Sequence, residues 1–184
     1  MASIVTKAIG ATVYKLRGWT FEPLPDYWRP RQVIIGFPHT SNLDTFMAFA
    51  GFLKVGQKGH VMIKKSWFFW PMRPLLDGLG GIPVDRGAAT GVVGQMAQVF
   101  AERDTFQLAL VPEGTRKGVA RIKTGFWHIA KAANVPIVLW YLDNANKRTR
   151  WLGQLQPGDD MKADLAEIKR RYAEAGHVIA GIDD

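Results

Sequence analysis

The chain of 184 residues is long enough for one globular domain, with 47% hydrophobic and 22% charged residues. It contains no cysteine, which excludes a disulfide framework, thiolate metal ligands and a cysteine nucleophile. Its net charge of +8 indicates an anionic partner, either nucleic acid, anionic lipid or a phosphorylated substrate.

Residues 1–18 form the first predicted element, an amphipathic helix. Ile4, Val5 and Ala8 fall near helical spacing, with three basic residues interspersed along the segment. The segment lacks the uninterrupted apolar run and cleavage site of a signal peptide. No stretch of the chain reaches the roughly 18 apolar residues that a transmembrane helix needs. Two interpretations stay open, since the helix either lies on a membrane or caps the domain.

Short apolar strands alternate with helical segments along the rest of the chain. Predicted strands cover residues 32–36, 60–63, 82–84, 106–111 and 135–141, with an edge strand at 148–152. Predicted helices cover residues 43–54, 90–103, 124–133 and 161–175. This alternation predicts a single α/β domain over residues 1–184, with a largely parallel central sheet flanked by helices.

An aromatic run, Trp67 to Trp70, is flanked by Lys64, Lys65 and Arg73. Consecutive aromatic residues beside cations suit a lipid headgroup boundary better than a base-stacking surface. An anionic membrane surface is therefore the expected partner, and no nucleic acid is expected. The alternative is a buried aromatic corner beside solvated lysines.

His39 and Asp44 stand at the junction of a predicted strand and a predicted helix. Active groups of α/β proteins gather at the carboxyl ends of strands. A histidine suits a general base, and an aspartate on its other ring nitrogen would hold the tautomer. Taken alone, the spacing also fits a helix-dipole partner and an ordinary loop histidine.

Two further polar segments follow predicted strands. Residues 112–116, Pro-Glu-Gly-Thr-Arg, form a compact turn in which Arg116 is suited to grip a phosphate bidentately. Arg86 comes directly after the short strand at 82–84. Each segment alone also fits a surface ion pair or a charged residue at the end of a strand.

Together with Val-Pro-Ile at 135–137, these segments resemble, in order, the four sequence blocks of the glycerolipid acyltransferases, which include 1-acylglycerol-3-phosphate acyltransferase. The His-x4-Asp block matches at His39 and Asp44, the arginine block at 81–86 and the Pro-Glu-Gly-Thr-Arg block at 112–116. The resemblance covers roughly residues 32–141. Pro38 stands where many members have Asn. Because the chain is short for the family, we expect the usual N-terminal membrane helices to be reduced or absent.

The resemblance implies that His39 takes the proton from an acceptor hydroxyl that attacks the thioester of acyl-CoA or acyl carrier protein, with Asp44 orienting His39. It implies no acyl-enzyme, no cofactor and no metal. The residues implied to bind the acceptor, with the arginines at its phosphate, are Arg86, Glu113, Gly114, Thr115 and Arg116. Lys123 either adds positive charge there or is a solvated loop lysine.

The expected function is phospholipid biosynthesis by a peripheral enzyme on the cytoplasmic face of a membrane. It would transfer an acyl group to a lysophospholipid, 1-acylglycerol-3-phosphate above all. Two alternatives remain: the same chemistry on another lipid acceptor or on water, and a non-catalytic basic module that binds anionic membranes or nucleic acid.

No sequence motif identifies the side chains that would contact the acyl group or bind a metal. Phe46, Met47, Phe49 and residues 67–72 are candidates for tunnel wall or membrane contact, and otherwise ordinary core. The histidines at 60, 128 and 177 lack paired metal-ligand spacing, and His128 is expected in the core rather than at a metal.

Overall fold

The computed structural model describes residues 4–38, 42–112, 121–179 and 181–183. The strands are β1 Thr20–Phe21, β2 Arg31–Phe37, β3 Gly59–Lys64, β4 Gly81–Val84, β5 Phe106–Leu110, β6 Arg121–Lys123, β7 Ile137–Asp143, β8 Arg148–Leu155 and β9 Gly181–Asp183. The helices are α1 Ile4–Leu16, α2 Asn42–Val55, α3 Met72–Gly78, α4 Gly91–Ala101, α5 Gly125–Ala133 and α6 Met161–Glu174, with a 3-10 turn at Lys65–Trp67. All the strands and helices predicted from the sequence are present, with small shifts at their ends.

Seven strands form one sheet in the order β1-β8-β7-β2-β5-β3-β4, and β6 pairs with β9 in a separate two-stranded sheet. The five strands from β7 to β4 run parallel, whereas β8 is antiparallel to β7. The predicted α/β architecture with a largely parallel sheet is confirmed. The predicted edge strand at 148–152 is β8, which is covered at Arg148 and Thr149 by the short strand β1.

Strand β2 has apolar side chains on both faces of the sheet, so helices must cover both faces. Its side chains alternate, and those of Val33 and Ile35 enter one apolar core while that of Ile34 enters another. Helices α4, α5 and α6 cover the first core, and α1 and α2 cover the second. A β-branched run buried on both faces is what a central parallel strand requires.

The N-terminal helix packs on α2 through a close backbone contact at Gly10. A Cβ placed on Gly10 would lie 2.5 Å from the carbonyl oxygen of Ala50. Beside this contact, the buried hydroxyl of Tyr14 donates a hydrogen bond to the Met47 carbonyl at 3.0 Å. In the described part of the chain, no helix combines the length and apolar character needed to cross a bilayer.

We expect Gly10→Ala to lower the free energy of unfolding by about 1 to 3 kcal/mol, because the added methyl group forces α1 away from α2. The intrinsic helix preference of alanine opposes this by only about 1 kcal/mol. Gly125→Ala is the matched control, since a Cβ there meets nothing within 4 Å. Urea denaturation measures both variants, and equal stabilities would show that the α1–α2 contact is not close.

His60 is a buried histidine whose ring lies against Phe106, with 4.7 Å between the centroids. Among the described residues its Nδ1 has no hydrogen-bond partner. Burial lowers the pKa of His60 from 6.5 to about 4, and the positive charges of Arg103 and Lys58 act in the same direction. The folded protein therefore keeps this ring neutral.

We expect the folded state to lose stability as the pH falls from 6.5 to about 4, because only the unfolded chain binds a proton at His60 in that range. The free energy of unfolding rises with pH wherever the unfolded state holds more protons. The loss of this free energy is therefore greatest at the acid end of the range, where it reaches about 3 kcal/mol. His60→Phe should remove this part of the pH dependence, as measured by urea denaturation at several pH values. The same slope in both proteins would contradict this assignment.

Candidate active site

The carboxyl ends of β2, β5, β3 and β4 meet at one edge of the sheet because these strands are parallel neighbours. Pro38 follows β2, Pro112 lies two residues beyond β5, and Arg86 lies two residues beyond β4. The described structure thus brings together the starting points of three predicted segments. Five predicted site residues lie outside the described residues: His39, Glu113, Gly114, Thr115 and Arg116.

Asp44 lies in the first turn of α2, with only 4% of its surface exposed. The positive end of the helix dipole favours a carboxylate at this position. Asp44 and Pro38 line the same cavity. The predicted orienting aspartate therefore shares a cavity wall with the residue directly before His39.

That cavity lies between α2 and the sheet. Its described lining is apolar except for Asp44, which is the single charged residue in it. The lining comprises Ala48, Phe49 and Phe52 from α2, with Ile34, Gly36, Pro38, Gly59, Val61, Ala109, Leu110, Val111, Trp140 and Leu142 from the sheet and its carboxyl edge. An apolar lining with one carboxylate suits a ligand that is apolar along its length and polar at one end.

The residues predicted to line a tunnel lie in three different environments. Phe49 lines the cavity, Met47 is buried in the core between α2 and the sheet, and Phe46 is exposed. Residues 67–72 do not contribute to the described lining. Only Phe49 of these candidates therefore stands where a ligand in the cavity would touch it.

Arg86 is exposed and lines a separate groove at the carboxyl ends of β3 and β4. Lys64, Lys65 and Asp85 line the same groove, and the Lys65 ammonium lies 3.8 Å from the Asp85 carboxylate. Three basic side chains against one acidic side chain give the groove a net positive charge. Sequence reasoning assigned the two lysines to a lipid boundary, although their position directly after a predicted strand also signals a site.

Gln95 of α4 holds the backbone that precedes Arg86. Its side-chain oxygen accepts the Asp85 N–H at 2.9 Å, and its amide nitrogen donates to the Asp85 carbonyl at 2.7 Å. Both backbone groups of Asp85 are thereby satisfied by one side chain, which fixes the direction in which the chain leaves β4. Sequence reasoning missed Gln95, because a glutamine inside a helix carries no motif signal.

Lys123 is exposed at the end of β6, and its backbone N–H donates to the Pro112 carbonyl at 3.0 Å. This bond holds the start of the chain after β5 beside the end of β6. Strand β9 pairs with β6 along its length and holds Lys123 opposite Asp183 in the register. The predicted basic residue therefore lies beside the start of the Pro-Glu-Gly-Thr-Arg segment.

The expectation that His128 is a core residue is wrong. His128 is exposed, because α5 turns Phe126, Trp127 and Ile129 toward the sheet instead. In the part of the chain that the structure describes, no three histidine, aspartate or glutamate side chains lie close enough to hold a metal ion.

Comparison with known proteins adds two findings. The sequence model of the acyltransferase family matches residues 22–141. The fold is similar to the crystal structure of PlsC from Thermotoga maritima, a 1-acyl-sn-glycerophosphate acyltransferase, with a TM-score of 0.61 and 14% identity over 93% of this chain and 78% of that one. No curated protein sequence matches the chain.

Proposed function

The chain belongs to the acyltransferase family, and we propose that it transfers a fatty acyl group from acyl-CoA or acyl carrier protein to a hydroxyl of a lysophospholipid. The preferred acceptor is 1-acylglycerol-3-phosphate, the type of substrate named for the Thermotoga enzyme of similar fold. The reaction takes place at the cytoplasmic face of an anionic membrane, with the enzyme bound peripherally.

One observation carries this proposal, the burial of Asp44 in the wall of an otherwise apolar cavity. An acyl chain is apolar along its length and reactive at one end. The cavity matches that pattern, since its charged residue lies at the start of α2, beside the edge where the strands end. The acyl chain of the donor would lie in the cavity with its thioester toward Pro38 and the adjoining His39.

The proposed chemistry is direct transfer. His39 takes the proton of the acceptor hydroxyl as its oxygen bonds to the thioester carbonyl carbon, and Asp44 stabilises the resulting imidazolium. The carbon–sulfur bond then breaks, and the thiolate leaving group receives the proton from His39. No acyl-enzyme forms, which agrees with a chain that has no cysteine.

The acceptor's phosphate would lie in the groove of Arg86, with Lys64 and Lys65 adding charge. Support comes from strand order, because β3 and β4 end at the same edge of the sheet as β2 and β5. Glu113, Gly114, Thr115, Arg116 and Lys123 would complete the acceptor site, since the Lys123 N–H bonds to the carbonyl directly before Glu113.

We expect His39→Ala to lower kcat for acyl transfer by about 10²- to 10⁴-fold, because the hydroxyl loses its general base. His128→Ala, which removes an exposed histidine on α5, is the matched control and should keep full activity. Thiol release from acyl-CoA is followed with and without a panel of lysophospholipids. Wild-type turnover by His39→Ala would exclude this mechanism, and thiol release independent of any acceptor would indicate hydrolysis instead.

Asp44→Asn should also lower kcat strongly, by about 10²-fold or more, since an amide does not stabilise the imidazolium. Asparagine has nearly the size and shape of aspartate and leaves the cavity nearly unchanged, so KM for the acyl donor should move little. A large rise in KM at unchanged kcat would instead assign Asp44 to donor binding. Thermal denaturation checks that the variant is folded.

We expect Ala109→Leu to shift the donor preference toward shorter acyl chains. Ala109 lies in the cavity wall on β5, and three added carbon atoms displace a similar length of acyl chain. Since each buried methylene contributes about 0.8 kcal/mol, kcat/KM should fall by about tenfold or more for long chains and little for short ones. Ala101→Leu, at the exposed end of α4, is the control. Equal losses for all chain lengths would contradict binding of the acyl chain in this cavity.

A further inference from the structure

Exposed apolar side chains are concentrated on one part of the molecule. Of the thirteen large hydrophobic side chains exposed in the described residues, eleven lie on α1, on α2 or between Trp67 and Leu79. Helices α4, α5 and α6 carry none of the thirteen. The eleven are Ile4, Val5, Ile9, Leu16, Phe46, Leu53, Trp67, Phe69, Trp70, Leu75 and Leu79. Exposed apolar side chains that are gathered in one region are typical of a contact surface.

These elements all cover the same face of the sheet. Helix α1 crosses α2 at Gly10, and side chains of α2 line the apolar cavity. Val61, in the cavity wall, is the register partner of Gly81 on the neighbouring strand β4. A Cβ on Gly81 would lie 2.9 Å from the Leu76 carbonyl oxygen of α3. The three helices α1, α2 and α3 therefore share the face that holds the cavity.

The charge around Trp67 to Leu79 is positive. Residues 58–87 contain five lysines and arginines against two aspartates. Arg73 lies 3.6 Å from Asp77, and the second aspartate faces Lys65 in the groove of Arg86. Lysine is depleted in protein–protein interfaces, whereas lysine and arginine beside tryptophan suit the boundary of an anionic bilayer.

We propose that the cavity-bearing face, formed by α1 and the segment Trp67–Leu79, is the surface that docks on an anionic lipid bilayer. Trp70, with 86% of its surface exposed, is its principal anchor. The choice of lipid as occupant rests on the proposed function, in which the acceptor is a membrane lipid. Docking of this face places the cavity and the groove of Arg86 next to the source of that acceptor.

The test compares Trp70→Ser with Val178→Ser in binding to vesicles. Val178 is 79% exposed but lies outside the proposed surface, so it controls for the loss of an exposed apolar side chain. Binding is measured by flotation with vesicles of phosphatidylglycerol mixed with phosphatidylcholine, and with phosphatidylcholine alone. We expect Trp70→Ser to weaken partitioning to the anionic vesicles about tenfold or more, and Val178→Ser to leave it unchanged. High salt should weaken binding of the wild type.

A second measurement tests whether the indole of Trp70 itself enters the bilayer. Lipid brominated on its acyl chains should quench the tryptophan fluorescence of the wild type, and Trp70→Phe should lose part of that quenching while still binding vesicles. Unchanged quenching in Trp70→Phe would overturn the proposal. So would equal vesicle binding of all variants, or a dimer of the wild type that Trp70→Ser dissociates, because the face would then pack on a second copy.

Acyl transfer to an acceptor dispersed in detergent micelles separates this proposal from the proposed function. Trp70→Ser should keep wild-type turnover there, since the substitution leaves the cavity and the groove of Arg86 in place. Loss of vesicle binding with intact micellar turnover supports the docking surface. Vesicle binding through Trp70 by a protein without transferase activity would preserve the surface and reject the proposed reaction.

Discussion

The hydrogen bonding of β2 to a parallel neighbour on each side is the constraint on which the rest of the structure depends. Its partners β5 and β7 run in the same direction, so the carboxyl ends of all three strands lie at one edge. The side-chain period of two then divides the strand between two cores. Ile34 faces the cavity and α2, while Val33 and Ile35 face the helices on the other side. A shift of one residue in this register would exchange the two sets and close the cavity.

The cavity lies where the second core has small side chains, although that core also contains large ones such as Tyr14, Phe52 and Trp140. Large side chains of α4, α5 and α6 fill the core on one face. On the other, Ala48 of α2 faces Gly36 and Ala109 of the strands across the empty volume. Phe52 occupies the place that a side chain on Gly59 would need, with less than 3 Å between its ring and a Cβ there. Unfilled volume in a core reduces stability. Small residues on both sides of such a space are therefore expected where a ligand occupies it.

Sequence patterns predicted the central elements well, since those elements are apolar runs with a clear period bounded by glycine, proline or a polar turn. They missed α3, whose seven residues include Pro74 and are too few to show a helical period. They also missed β6 and β9, because three-residue strands that pair across some 60 positions leave no local signal. His128 differs for another reason. The helical period of α5 buries residues 126, 127, 129 and 130 on one side and leaves residue 128 on the other, whereas the aromatic composition of the segment alone favours burial.

Prediction of the site had the same limit. A position directly after a strand identified the neighbourhood of Asp44 and Arg86, because parallel strands end at a common edge. The support of Arg86 by Gln95 depends on how α4 packs beside β4, which sequence spacing does not reveal. Lys64 and Lys65 were assigned by their aromatic neighbours in sequence rather than by the end of β3, where the structure places them.

Strand order also suggests how one small domain would handle an amphipathic reaction. The apolar cavity is lined by Pro38 and Val111, which directly follow β2 and β5, while the cationic groove lies at the ends of β3 and β4. Because β5 is bonded to β3, these two environments are adjacent along one edge of the sheet. Under the proposed function, the acyl chain and the acceptor's phosphate would approach from neighbouring positions, and the thioester and hydroxyl would meet between them. The segments after β2 and β5, which contain His39 and residues 113–116, start at that junction, so the proton transfer and the binding of charge would occur where the two substrates come together.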